Sequence, residues 1–483
     1  MIQRVLLCPL LCLSTILGTA QVPILLRDIN PDGDSDADDM TCFGDRIFFT
    51  ADDGEHGTEL WVSDGSSDGT YMLKDINLGS GSGTVGPFVP LGDHIYFAAD
   101  DGVNGGQLWR SDGTEAGTVP FLDIENTTGL TSGDQFTFFE DKIYFRGGTD
   151  AEGRELWVTD GTVDGTHLLK DINAGIPESS PNDFAVFGDK LYFAAKTVDD
   201  GEELWATDGT EEGTVQVMDI RPGTGSSSPG DLVAASDLLF FAANDGTIDP
   251  ELWATDGTEA GTYNVRDIRP SGGSYPVDLA EYYGRVWFTA NDGSDPQLWS
   301  SDGTEAGTQL FEATTPLTYP SDMSAHNGRL YFIAFGTNNG QLWSTDGTAA
   351  GTMEHLYPGS TVGSPLFSTH LLAGCGDFLF YLAQYDVATG NEPHTLDTPT
   401  GLAEEAPGTH ALLYPTPASD HLEMQGVPAK AILTLYTLEG RMLLQTPARA
   451  NMDIRVVPDE LYLARITAAD GKILLTQRIV VQR

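Results

Sequence analysis

The stretch ELWATDGTEEGT, residues 203–214, decides the fold of this chain, because close copies of it recur along most of the sequence. A tryptophan anchors each of seven copies, and successive tryptophans are 48, 48, 48, 48, 46 and 44 residues apart. A nearly constant period in this range is typical of propellers and solenoids. The anchors are Trp61, Trp109, Trp157, Trp205, Trp253, Trp299 and Trp343.

Residues 183–220 show what one repeat contains. DFAVFG and KLYFAAK read as two strands joined by a Gly-Asp turn, and ELWAT and TVQVMDI read as the third and fourth strands. The Gly/Pro/Ser-rich segment RPGTGSSSPG then leads into the next unit. Four short strands in each period of ~48 residues, without helical periodicity, predict a β-propeller blade.

The second strand of the repeat allows the blades to be counted. Its eight copies read IFFTA, IYFAA, IYFRG, LYFAA, LFFAA, VWFTA, LYFIA and LFYLA. In the eighth unit EPHTLD, residues 392–397, replaces the tryptophan motif, and no fourth strand follows it. Residues 25–29, LLRDI, instead match a fourth strand at the start of the chain. We predict an all-β, eight-bladed propeller over residues 21–403, closed by this N-terminal strand, with seven blades as the alternative.

Two cysteines bear on this closure. Cys42 and Cys375 both lie in the predicted first strand, just before a Gly-Asp turn, in units one and eight. These units become neighbours only when the ring closes. A disulfide between them would constrain the unfolded chain across more than 300 residues. Two buried, unbonded thiols are the alternative interpretation.

The aspartate of each copy precedes a glycine, as in Asp208-Gly209. Asp-Gly favours turns, because the aspartate bonds to the backbone that follows it and glycine accepts a positive φ. Seven near-identical catalytic sites in one chain are not expected, so we interpret the repeat as structural, with repeated calcium or carbohydrate contacts as the alternative. The turn aspartates are Asp64, Asp112, Asp160, Asp208, Asp256, Asp302 and Asp346.

On these residues the chain resembles the ELWxxDGT-repeat proteins, a bacterial repeat family named after the string. The resemblance covers about residues 22–400, and the eighth unit departs from it as described. The family name implies no activity.

The charge is strongly acidic, with 72 acidic and 24 basic side chains and a net charge of −48. Such a field repels nucleic acid and anionic membranes, so neither is an expected partner. From residue 404 onward acidic and basic residues nearly balance, which predicts a domain boundary and a linker at 404–411. Residues 1–20 combine an early arginine, a short apolar run and small residues, which predicts a cleaved signal peptide. No segment is long and apolar enough for a transmembrane helix.

Residues 412–483 resemble a second known module. LYPTPASDHLEM, LTLYTLEGRML, VVPDELYLARI and the closing TQRIVVQR follow the type A C-terminal sorting domain of the type IX secretion system, with Thr416 and Leu461 departing from its pattern. The alternating apolar residues predict a small immunoglobulin-like β-sandwich. The resemblance implies a partner, the type IX machinery, and a secreted or cell-surface location. An ordinary accessory immunoglobulin-like domain is the alternative.

One loop is richer in acid than its counterparts. In NPDGDSDADD, residues 30–39, Asp32, Asp34, Asp36 and Asp38 occupy alternate positions. Alternating carboxylates can supply the oxygen ligands that calcium needs, so calcium is the one cofactor we consider. A solvated acidic loop is the alternative.

No motif identifies catalytic residues. Two classes of function stay open: a non-catalytic binding scaffold for a glycan, a protein or extracellular matrix, and a polysaccharide-active enzyme with carboxylates at the central channel mouth. The first is preferred, because the regular spacing leaves little room for the loop insertions that build an active site. An enzyme should break the repeat symmetry on one face of the ring.

Overall fold

The computed structural model describes residues 23–398, apart from 123–131, 150, 163, 176, 248, 337–339, 358–359 and 361–371, and seven strands between residues 412 and 480. The chain splits into two compact units, Met1–Thr400 and Gly401–Arg483. The division falls three residues before the predicted one. The predicted signal peptide at 1–20 and linker at 404–411 lie outside the described residues.

The first unit contains eight four-stranded antiparallel sheets, which we number as blades 1–8 in chain order of their first strands. Blade 1 consists of Asp38–Phe43, Arg46–Asp52, Thr58–Ser63 and Tyr71–Lys74, and blade 2 of Thr84–Leu91, His94–Asp100, Gly106–Ser111 and Val119–Leu122. Blade 3 consists of Ser132–Phe139, Lys142–Thr149, Gly153–Thr159 and His167–Lys170, and blade 4 of Asn182–Phe187, Lys190–Thr197, Gly201–Thr207 and Val215–Met218. Blade 5 consists of Gly230–Ala235, Leu238–Ala243, Glu251–Thr255 and Tyr263–Arg266, and blade 6 of Val277–Tyr282, Arg285–Ala290, Gln297–Ser301 and Gln309–Leu310. Blade 7 consists of Thr318–His326, Arg329–Phe335, Gln341–Thr345 and Met353–His355, and blade 8 of Leu372–Cys375, Phe378–Ala383, Glu392–Asp397 and the N-terminal strand Ile24–Leu25.

The core lies between adjacent blades. The second and third strands are apolar on both faces, as expected for strands covered on both sides. Trp205 of blade 4, for example, packs in one buried cluster with Tyr144, Leu156 and Leu169 of blade 3. Each blade therefore buries its apolar face against its neighbour, and no single blade has a core of its own.

The ring closes as predicted, with eight blades. Ile24 pairs with Thr395 and Leu25 with His394, so the N-terminal strand completes blade 8. The first strand of each blade contacts the first strand of the next, including Asp38–Phe43 with Leu372–Cys375. The strand is shorter than the predicted 25–29, because residue 29 leaves the sheet and donates its backbone N–H to the Glu392 carboxylate at 3.0 Å.

The second unit is also all-β. Its seven described strands form two antiparallel sheets, one of three and one of four strands. In sheet order they are Leu412–Tyr414, His421–Gln425 and Asn451–Asp453; and Met442–Pro447, Ile432–Tyr436, Leu461–Thr467 and Ile473–Val480. Two sheets are what the predicted small sandwich requires. None of the residues described in either unit belongs to a helix long and apolar enough to cross a membrane.

Candidate functional site

The repeated stretch forms a self-contained turn between the third and fourth strands, which we call the DGT turn (residues 207–214 in blade 4). The Asp208 carboxylate accepts the backbone N–H of Thr210 at 3.0 Å and its hydroxyl at 2.7 Å. The Thr210 hydroxyl accepts the N–H of Gly213, and the Thr214 hydroxyl donates to the Thr210 carbonyl. Because the Thr210 hydroxyl donates to it, the pKa of Asp208 lies below its usual range.

The other six DGT turns repeat this arrangement. In every copy the aspartate accepts the N–H of the serine or threonine two residues later. The second glycine is needed for space, since a Cβ at Gly213 would overlap the Asp208 carboxylate. The geometry supports the structural interpretation, because the polar side chains of the turn bond within the turn.

The glutamate of the ELW motif has a structural task that no sequence motif indicated. Glu203 is fully buried, and its carboxylate accepts the N–H of Ile220 at 3.0 Å and that of Ser227 at 3.1 Å. It also accepts the Ser227 hydroxyl at 2.6 Å. The glutamate thereby fixes the loop that leads to the next blade. Equivalent buried glutamates are Glu59, Glu155, Glu251 and Glu392.

Basic side chains of fourth strands fasten neighbouring blades together. The Lys170 ammonium donates to the Thr214 carbonyl of the next DGT turn at 2.7 Å. At the ring closure Arg27 donates to the Thr70 carbonyl at 2.6 Å and lies 6.0 Å from the ring centre of Trp61. Basic residues in or just after the fourth strands thus add contacts between neighbouring blades.

The predicted calcium ligands do not converge. Asp32, Asp34, Asp36 and Asp38 are all exposed. Among the residues that the structure describes, no group of three or more His, Cys, Asp or Glu side chains is arranged to hold a metal ion. The loop is instead built like its counterparts: Asn30 donates to the Asp34 carbonyl at 2.9 Å, as Asn77 does to the Ser82 carbonyl at 3.0 Å.

Cys42 and Cys375 lie side by side in the first strands of blades 1 and 8. Their Cα atoms are 5.3 Å apart, and the structure joins the two sulfurs as a disulfide across 333 residues of sequence. The bond links the two blades that meet at the closure. Its formation in the purified protein is a prediction that non-reducing mass spectrometry tests.

Five aspartates lie near the beginning of the first strand of their blade, the strand that contacts the first strands of both neighbouring blades. Their backbones are left-handed, with φ between 53° and 56°. The Asp278 carboxylate accepts the N–H of Asp322 from the next blade at 3.2 Å, and the Asp231 carboxylate accepts the N–H of Asp278. Partial burial among the surrounding strands, together with repulsion from Asp278 and Asp183, raises the pKa of Asp231 to about 6. Part of the residue still reaches solvent. The set consists of Asp39, Asp183, Asp231, Asp278 and Asp322.

The repeat symmetry is broken on the same face, where the chain enters blades 6 and 7. Three residues before the left-handed aspartate of the first strand, blades 4 and 5 carry Ser180 and Ser228, with φ of 46° and 47°. Blades 6 and 7 carry Tyr275 and Tyr319 there, with φ of 50° and 51° and exposed fractions of 52% and 50%. A bulky residue in the left-handed region is strained, and such strain is concentrated at functional sites.

The two tyrosines border a groove between blades 6 and 7 of about 460 Å³, which we call the tyrosine groove. Its volume lies within the range of small-molecule pockets. Tyr319 contacts Phe335 edge-on at 6.0 Å between ring centres, and its hydroxyl donates to Asp295 at 2.9 Å. The lining residues are Ser274, Tyr275, Val277, Thr289, Asn291, Pro296, Tyr319, Pro320, Ser321 and Phe335.

A second cavity of about 430 Å³ lies at the other end of these strands, beside the DGT turns of blades 6 and 7. Arg285 crosses it, bonding to the Gly307 carbonyl and lying 3.5 Å from the Asp302 carboxylate. The arginine is already engaged by the turn, so we regard the tyrosine groove as the better candidate site.

Neither a protein-family model nor a curated protein matches this chain. Among solved structures it is similar to PorZ, an essential bacterial surface component of the type-IX secretion system of Porphyromonas gingivalis, with 14% identity, a TM-score of 0.42, and coverage of 95% of this chain and 70% of PorZ. It is also similar to a puromycin hydrolase, with 15% identity, a TM-score of 0.46, and coverage of 74% of this chain and 59% of the hydrolase. The β-propeller domain of the Trilobed protease from Pyrococcus furiosus is similar with 12% identity, a TM-score of 0.39, and coverage of 75% of this chain and 95% of that domain. At these identities the likeness is one of fold alone.

Proposed function

We propose that this protein is a non-catalytic binding protein that works outside the cell and holds a glycan or protein ligand in the tyrosine groove. The observation that carries the proposal is the paired replacement of serine by Tyr275 and Tyr319 at strained positions of adjacent blades. Neither tyrosine belongs to the buried core clusters of blades 6 and 7, so core packing does not explain the strain, whereas half-exposed aromatic rings beside a groove supply contact area for a ligand. The seven DGT turns remain structural in this proposal.

Export by the type IX secretion system is the second part of the proposal. It is supported by the signal-like residues 1–20 and by the sorting-domain resemblance of residues 412–483. The test is deletion of residues 412–483 in a bacterium that has the type IX machinery. We expect the propeller to accumulate in the periplasm, whereas unchanged release or surface display would contradict this part.

A glycan and matrix-protein array tests the binding proposal. The wild-type protein and the Y275S/Y319S variant are compared, each with and without EDTA. Serine occupies the same backbone conformation in blades 4 and 5, so the variant should keep its fold and melting temperature. We expect wild-type signals that the variant loses. Equal signals from both proteins would remove the groove from the proposal, and signals lost in EDTA would restore the calcium hypothesis.

An enzyme acting on polysaccharides is the second candidate. It would also break the repeat symmetry on one face, as Tyr275 and Tyr319 do, but its carboxylates would have to come from the aspartates of the first strands. Asp231 has a pKa of about 6 and faces Asp183 and Asp278 from neighbouring blades, which is the kind of carboxylate pairing that glycoside hydrolysis uses. The backbone bonds among these aspartates already explain the arrangement structurally. Release of reducing sugar by wild type but not by the Asp231→Asn variant would establish the enzyme and overturn the non-catalytic proposal.

A further inference from the structure

We infer that the tyrosine groove takes a cationic ligand, specifically an extended polypeptide segment that inserts lysine or arginine side chains. The inference rests on the proposed binding function and specifies the ligand class for the same site. It follows from three features of the groove: aromatic faces, carboxylates bonded to its lining, and lining hydroxyls that are already donors within the protein.

The aromatic faces come first. Tyr275 and Tyr319 are each about half exposed, with exposed fractions of 52% and 50%, and Phe335 lies against Tyr319. The faces of such rings attract ammonium and guanidinium groups, and the attraction grows when the cation is partly desolvated. Val277, Pro296 and Pro320 in the groove lining supply apolar surface for the methylene groups of a long basic side chain.

The carboxylates complement this surface. Asp295 accepts the Tyr319 hydroxyl at 2.9 Å, and Asp322 accepts the Ser321 hydroxyl at 2.8 Å. Two acidic groups are therefore bonded directly to residues that line the groove. Of the ten lining residues described by the structure, none is a lysine or an arginine. Around the groove, the net charge of −48 adds a long-range field that attracts cations.

The lining hydroxyls argue against a neutral sugar. Thr289 donates its hydroxyl to the Pro320 carbonyl at 2.6 Å, Ser321 donates to Asp322, and Tyr319 donates to Asp295. Each of these hydroxyls can still accept a bond, but its proton is already engaged, so none of the three can donate to the ring or hydroxyl oxygens of a sugar without losing a bond within the protein. A cation needs acceptors and ring faces, which the groove offers without rearrangement.

Fluorescence polarisation with the full-length chain tests the inference. The probes are a labelled lysine-rich repeat peptide and its arginine, glutamine and glutamate versions of equal length. We expect the two basic peptides to bind and Y275S/Y319S to weaken them about tenfold. The Asp295→Asn variant should weaken them less and reduce the salt dependence of binding.

Tyr283→Ser is the matched control. Tyr283 follows the same strand that Tyr275 precedes, has φ of 51°, is 70% exposed, and lines neither cavity. Its loss should leave peptide affinity unchanged. The control separates the groove from the general acidic field, because both variants keep the same net charge.

The outcomes separate the inference from the proposed function. Basic peptides that bind wild type and Y275S/Y319S equally would show attraction to the acidic surface alone and overturn the inference. Tyrosine-dependent binding of the glutamine peptide, or of a glucosamine oligomer in place of the peptides, would also overturn it but leave a groove-binding protein. If neither the array nor the peptides depend on the tyrosines, both the inference and the proposed binding site are wrong.

Discussion

Replacing Glu203 by alanine should destabilise the propeller substantially. The carboxylate is fully buried and is the acceptor for the backbone N–H groups of Ile220 and Ser227, which are themselves 3% and 1% exposed. Alanine would leave the Ile220 N–H unpaired and out of reach of bulk water, whereas the Ser227 N–H keeps its second bond, to the Glu202 carbonyl at 2.9 Å. The loop into blade 5 would also lose its bond from the Ser227 hydroxyl.

The size of the effect follows from these contacts. One buried N–H left unpaired costs about 2 kcal/mol, and loss of the Ser227 hydroxyl bond adds about 1 kcal/mol, so the total is roughly 3 kcal/mol. Unfolding entropy is about 2.1 cal/mol/K per residue, or about 0.8 kcal/mol/K for a propeller of roughly 380 residues. The expected fall in melting temperature of Glu203→Ala is therefore about 4 °C.

Calorimetry of Glu203→Ala and two comparison variants measures this loss of stability. Glu203→Gln keeps one acceptor oxygen, and blades 2 and 7 carry Gln107 and Gln341 at the same position, so its loss should be less than half as large. Glu212→Ala, an exposed residue of the DGT turn, should change stability by less than about 0.5 kcal/mol. A melting temperature of Glu203→Ala within 1 °C of wild type, with 1 °C as roughly the resolution of the assay, would refute the assignment of this glutamate as the anchor of the loop.

Three further predictions concern the propeller. Burial raises the pKa of Glu59 and of Glu392 to about 7. The protonated forms therefore stabilise the fold at low pH, and this stabilisation, about 3 kcal/mol per group, is lost as the pH rises from about 4.5 through 7. Urea unfolding of E59Q/E392Q should show a flatter pH dependence than that of wild type. Serine at Cys42 and Cys375 should lower stability by up to about 5 kcal/mol, and non-reducing mass spectrometry of the exported protein should find no free thiol. Gly213→Ala should displace the turn carboxylate and cost about 2–4 kcal/mol by thermal unfolding.

Each of these has a result that would contradict it. Parallel pH profiles of wild type and E59Q/E392Q would mean that neither glutamate titrates in this range. Two free thiols in the exported protein would mean that the blades close without the bond. A wild-type melting temperature for Gly213→Ala would mean that the turn carboxylate is not held where the structure has it.

The architecture was predictable from sequence because its signals are repeated. The alternating second strand, present eight times, gave the blade count, and the loss of the tryptophan motif at residues 392–397 located the closure. The length of the closing strand was not predictable in detail. Residues 28 and 29 look like strand, but the backbone of Ile29 turns away to reach Glu392, a partner 363 residues distant.

The buried glutamates and the tyrosine groove were beyond sequence reasoning for different reasons. Glu203 looks like any acidic residue among 72, and only its burial shows its task. Tyr275 and Tyr319 carry a sequence signal, since SYPVD and TYPSD stand where blades 4 and 5 have SSPND and SSPGD. That signal acquires meaning once the left-handed backbone and the groove between blades 6 and 7 are known.

The central claim is that the repeat builds the ring and that binding occurs where the repeat is broken. It is tested most directly by one array experiment on the wild type, Y275S/Y319S and Asp208→Ala, with the melting temperature of each. The account predicts that the tyrosine variant loses ligand at an unchanged melting temperature, while the turn variant melts earlier and keeps its ligand. Loss of ligand in a fully folded Asp208→Ala protein, with binding by Y275S/Y319S intact, would contradict it.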